Sequence, residues 1–77
     1  MDWRQIKESV SSRSPSERVA RFALLDRWFA DNPAAATSAV VGGPSGVPVT
    51  AIDRGDLINE RQALAFQIAR DAVMLYG

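Results

Sequence analysis

The side chains of this 77-residue chain with most claim to chemistry are carboxylates, because histidine and cysteine are both absent. Without imidazole the chain lacks the group that titrates near neutral pH and the commonest metal ligand. Without thiolates, a zinc site would rest on carboxylates alone. The nearest approach to a cluster is Asp53 with Asp56, followed one helical turn on by Glu60. Helix capping accounts for the first two: Asp53 suits the first turn, and Asp56 takes the capping-box position three residues later. Both would also sit at the positive end of the helix dipole. Asn59 and Arg61 beside Glu60 mark a solvated face rather than a divalent-ion site. The loop Gly42-Gly43-Pro44-Ser45-Gly46 is glycine-rich, but a phosphate cradle needs a terminal lysine and hydroxyl with a helix directly after, and a valine-rich run follows instead. No catalytic, metal-binding or cofactor-binding residue is assigned, and an enzyme is the least supported class.

The acids must be positioned by a long amphipathic helix, expected from Asp53 to Tyr76. Leu57, Leu64, Ile68 and Leu75 recur at spacings of seven, four and seven, which stacks them on one face. Ile58, Ala65, Ala69, Ala72 and Tyr76 widen that stripe. Upstream, Ser14-Pro15-Ser16-Glu17 is the clearest helix start, with Ser14 as N-cap, Pro15 in the first helical position and Glu17 completing a capping box. Val19, Phe22, Ala23, Leu25 and Phe29 form its apolar stripe, with Leu24 and Trp28 off to one side. Asp31-Asn32-Pro33 ends it, because the residue before proline avoids helical angles. Asp2 to Ser11 reads as a short helix carrying Trp3, Ile6 and Val10. Residues 34–36 form a connector. Thr37 to Val41 and Val47 to Ile52 read as the strands of a β-hairpin closed by the glycine-rich loop, with Pro48 confining the second strand to an edge. The expected fold is therefore α+β: short helix, helix, hairpin, long helix.

Seventy-seven residues make one domain, with residues 1–12 either an N-terminal arm or a short helix packed on the body. Such a chain buries only about 60–65% of its unfolded surface. It has no disulfides or thiolate metal sites to compensate. Nine basic and nine acidic residues cancel, so no net field draws nucleic acid or membrane. Arg18, Arg21 and Arg27 are interleaved with Glu17, Asp26 and Asp31, and nucleic acid is not an expected partner. Eight of the nine cations are Arg, the residue best suited to bidentate ion pairs, although GC-rich codon usage yields the same bias. No apolar run is long enough for a signal peptide or a membrane span.

The more informative oddity is how apolar the last helix is. Phe66, Val73 and Met74 project from positions that one small core does not cover together with the main stripe. With Arg70, Trp3 and Trp28 they are the candidate partner interface, on a chain expected to act by protein–protein contact as a homo-oligomer or with other subunits.

The segment Val49-Thr50-Ala51-Ile52-Asp53-Arg54-Gly55-Asp56-Leu57, where a strand gives way to an acid-leucine pair that opens the last helix, resembles the small head–tail joining (head-completion, W-type) proteins of tailed bacteriophages. Ala23 to Phe29 is similar in character, and the likeness extends over the architecture of residues 17–73. It implies a non-enzymatic virion part forming a ring under the portal, in contact with portal or tail proteins. The chain departs from that pattern in its longer Gly/Pro-rich loop, its added Trp3 helix and the lack of a basic tail, so contact with packaged DNA is not expected. The alternative class is a small regulatory binder, such as an inhibitor of a host enzyme or an antitoxin-like protein.

Overall fold

The computed structural model describes residues 2–33, 41–46 and 48–76. Three helices carry the fold: α1 (Trp3–Ser11), α2 (Pro15–Asp31) and α3 (Ala51–Tyr76). Each start has a local cause. Asp2 caps α1 in a full capping box, accepting from the Gln5 N–H at 2.9 Å while Gln5 Oε1 accepts from the Asp2 N–H at 3.1 Å. Ser14 caps α2 as expected, accepting from the Glu17 N–H, and Pro15 fills the first helical position. The Glu17 carboxylate takes the Ser14 hydroxyl at 3.1 Å instead of closing the box on the backbone. At α3 the box is Thr50 with Asp53: Thr50 Oγ1 accepts from the Asp53 N–H, and Asp53 Oδ2 accepts from the Thr50 N–H and hydroxyl. Asp53 is thus the third helical residue, and the helix begins two residues before the expected Asp53.

That early start overturns the α+β expectation; the fold is all-α. Ala51 and Ile52, expected in the second strand, are the first residues of α3. What remains of the hairpin is a ladder of two residues on each side, with Val41 opposite Val49 and Gly42 opposite Pro48. Pro48 has no N–H to donate, and the Thr50–Asp53 box turns the chain into helix one residue beyond Val49. Gly46, at φ 80°, closes the turn with its N–H on the Gly43 carbonyl at 2.9 Å. The ladder is a clip beside the helices, too small to form a layer. The connector at 34–36, the start of the first strand at 37–40 and Val47 lie outside the described residues.

α2 and α3 run antiparallel, since Arg18 near the start of α2 meets Asp71, and Asn32 just past its end meets Arg54. α1 lies against the other flank of α3, so the short N-terminal helix packs on its own chain. The core is Ile6 and Val10 of α1, Leu25 of α2, and Ala63 and Leu64 of α3, with Phe22, Phe29 and Leu57 packed around them. Leu25 and Leu64 have no accessible surface. Burial of one such leucine is worth about 2–3 kcal/mol.

A polar clasp joins the same three helices. Arg18 is buried, 6% exposed. Its Nη1 donates to the carbonyls of Val10, Ser11 and Arg13, at the C-terminal end of α1. Its Nε and Nη2 reach Asp71 Oδ2 at 3.0 and 2.8 Å. A guanidinium satisfies helix-terminal carbonyls and a carboxylate at once because its donors form a rigid planar fork. It also places positive charge at the negative end of the α1 dipole. Arg18→Leu, which strands the Asp71 carboxylate and those carbonyls, is expected to cost about 3–5 kcal/mol in urea unfolding. Arg18→Lys, a single point donor, should recover less than half of that loss. Unfolding midpoints indistinguishable from the parent chain would show that the clasp contributes nothing.

Candidate protein-contact surface

The geometry of the exposed surface follows from helix lengths. At 1.5 Å per residue, the 26 residues of α3 span about 39 Å and the 17 of α2 about 25 Å. Because Arg18 lies beside Asp71, the start of α2 coincides with the last turn and a half of α3. α2 extends only three residues past Arg18 towards its start, against five residues of α3 past Asp71, so α2 runs out before α3 does. Leu75 shows the consequence: it shares the stripe of Leu57, Leu64 and Ile68, yet is 72% exposed. Sequence periodicity assigned it to the core; the signal that could have found it was the mismatch in predicted helix lengths.

Phe66 is 68%, Val73 66% and Met74 81% exposed. Phe66, Arg70 and Val73 are one and two turns apart, so they share the outer face of α3. Trp3, 40% exposed, joins this region: Trp3, Lys7, Phe66 and Arg70 line a cleft of about 230 Å³ between α1 and α3. Lys7 Nζ stands 5.8 Å from the Trp3 ring centroid, a cation–π distance. Five of the six expected interface residues, Trp3, Phe66, Arg70, Val73 and Met74, therefore fall on or beside the outer face and C-terminal end of α3.

Trp28 does not join them. It is 7% exposed, and its indole N–H donates to the Gly42 carbonyl, tying α2 to the clip. Its ring meets Phe29 edge-on at 4.9 Å, and the Arg54 guanidinium lies over both rings, 5.3 and 5.1 Å from their centroids. Arg54 Nη2 donates to the Asn32 carbonyl at 2.7 Å, while its Nη1 is buried without a hydrogen-bond partner. Leu24 (45%), Val19 (53%) and Ile58 (43%) are exposed instead. Among the described residues eight large apolar side chains are thus substantially exposed and seven apolar residues are buried, so the surface carries more large apolar groups than the interior.

The acids that open the question of chemistry are occupied structurally. Glu60 accepts from Arg13 at 2.9 Å and from Arg21 at 2.7 and 3.2 Å. Burial alone would raise its pKa, but the hydrogen bonds and charges of Arg21 and Arg13 outweigh burial and hold it below its ordinary value. Asp71 is taken by Arg18 and Asp53 by the α3 cap. No group of three or more carboxylates is placed to hold a metal ion among the described residues.

A glutamate whose native pKa is depressed stabilises the fold above its unfolded-state value and loses that contribution as pH falls through the native value. Glu60→Gln is accordingly expected to cost about 1–3 kcal/mol at pH 7. The gap between variant and parent should narrow as pH falls through the ordinary glutamate range and close as it passes the lower native value. Urea titrations of both proteins from neutral to acid pH measure this; a gap constant with pH would remove the ion pairs from the stability of the fold.

No family model, no curated protein and no solved structure matches the chain.

Proposed function

We propose that the chain is a non-enzymatic structural or adaptor protein that acts by protein–protein contact, with the free end of α3 as the docking element. The observation that carries this reading is the exposure of Phe66, Val73 and Met74 along the outer face and C-terminal end of α3. Apolar side chains two turns apart along an open helix face are the anchors that a helix lends to a neighbouring groove. Arg70 and Lys7 flank them as rim charges that pair with carboxylates. The chemistry of the chain is consistent with this role: it has no histidine or cysteine, and Glu60 and Asp71 are held by arginines.

The specific form of the proposal is a head–tail connector subunit of a tailed bacteriophage, which rests on the resemblance of residues 49–57. Of the helix–hairpin–helix order behind that resemblance, the helices are present and the hairpin is reduced to its two-residue ladder.

The test is a photocrosslinking residue placed at position 66 in cells that make the chain. Position 66 is expected to give a discrete product with a neighbouring polypeptide, whereas the exposed position 8 on α1 gives none. Phe66→Asp should keep the helical circular dichroism of the parent and lose the partner on purification. Equal products from both positions, or none from position 66, would overturn the reading.

A further inference from the structure

A second uncovered surface runs along the opposite flank of α3. α1 covers the Ala63 and Gln67 side; on the other side a groove between α2 and α3 is open. Two adjoining hollows, of about 440 and 360 Å³, form it and share Asp26, Ile58 and Arg61. Phe29 lies at one end of its floor, with Arg54 held beside it over the Trp28 and Phe29 rings and on the Asn32 carbonyl, and Phe22 and Ala65 lie at the other end.

The charges in the middle of this groove are poorly used within one chain. Asp26 is 67% exposed at its side chain and only 3.9 Å from Arg61, at the outer limit of an ion pair. No hydrogen bond joins them. The Arg61 guanidinium instead lies over Phe29, 4.5 Å from the ring centroid. Elsewhere the arginines grip their carboxylates at 2.7–2.9 Å: Arg13, Arg18 and Arg21 all do so. The central pair of this groove is therefore looser than those three.

We infer that this groove is a self-association face, and that its occupant is a second copy of this chain related by a two-fold axis through the Asp26–Arg61 position. The charge pattern selects that occupant. A patch with one acid and one base at its centre is complementary to itself when turned by a half rotation, so Asp26 of each copy meets Arg61 of the other. A groove of one sign would repel its own copy. The chain carries no net charge, so no long-range repulsion opposes association. A dimer of standard size would bury about 800 Å² per partner, roughly a seventh of the 5276 Å² surface. Docking two such faces places α2 and α3 of both copies in a four-helix centre with each α1 outside. The Phe66 face remains free, so the adaptor reading and this one rise or fall separately.

Sedimentation equilibrium on the whole chain tests the inference. The parent protein is expected at twice its 8.4 kDa mass. Asp26→Arg and Arg61→Asp should each weaken the dimer roughly tenfold or more, because each sets like charges against each other across the axis. An equimolar mixture of the two variants should restore association, since each unlike pair is then rebuilt between chains. A purely intramolecular role for the pair produces no such rescue. Ala65→Glu, an exposed change on the groove floor, gives a second route to the monomer should a charge variant lose its helical signal. Phe66→Asp should leave the dimer intact. A parent chain that stays monomeric at its highest soluble concentration, or variants that fail to recover on mixing, would overturn the proposal.

Discussion

A buried guanidinium has to be matched on every side or it costs more than it contributes, and the arrangement of this protein follows from how Arg18 is matched. Its partners come from two places that the chain must bring together: the carbonyls where α1 ends and the carboxylate of Asp71 on α3. Both ends of the requirement are rigid, one a helix terminus and the other a helix face. Satisfying them sets the turn between α1 and α2 against one level of α3. Glu60 repeats the device on the same face of α3, eleven residues or about three turns away, taking Arg13 from that turn and Arg21 from α2. Two acids on one helix thus hold the α1–α2 junction at two heights.

This polar clasp compensates for a thin interior. The core cluster holds five buried residues, and Phe22, Phe29 and Leu57 are only partly covered around it. A three-helix chain of this length has no second layer to close over the outer flanks of α3. Apolar groups on those flanks stay in water: Phe66 and Val73 on one side, Ile58 and Ala65 on the other. The clasp also locates the excess. By setting the register at Arg18 and Asp71, it makes α2 run out before α3 does, and Leu75 near the end of α3 is exposed even though it points the same way as Leu64. Surface available for contact with another polypeptide is in this sense a by-product of where one arginine finds its carboxylate.

Much of the fold was legible. Ser14-Pro15 and Asn32-Pro33 bracket α2 as read, and the seven-four-seven spacing of leucine and isoleucine announces α3. The hairpin was misjudged because valine- and threonine-rich runs beside a glycine-rich loop favour strands locally, while Thr50 with Asp53 is a helix start that competes for the same residues. The cap wins, as it satisfies backbone donors at once, whereas a strand next to Pro48 forfeits a ladder bond. The burial of Trp28 is not legible for a different reason. Trp28 sits at the edge of the α2 stripe, and the carbonyl that takes its indole N–H belongs to Gly42, fourteen residues on in the clip.

What the amino-acid order determined by itself is the set of helices, their caps and the chemistry withheld by lacking histidine and cysteine; these depend on neighbours within one or two turns. The arginine bias was visible too, but its use was not. Whether Arg13, Arg18 and Arg21 face solvent, a partner or their own chain depends on acids 39 to 53 residues away in sequence. Tertiary structure alone decided which flank of each stripe is covered, because periodicity shows that a face is apolar and says nothing of how far the opposing helix extends. The relative lengths of α2 and α3, and the register at which Arg18 locks them, made that choice.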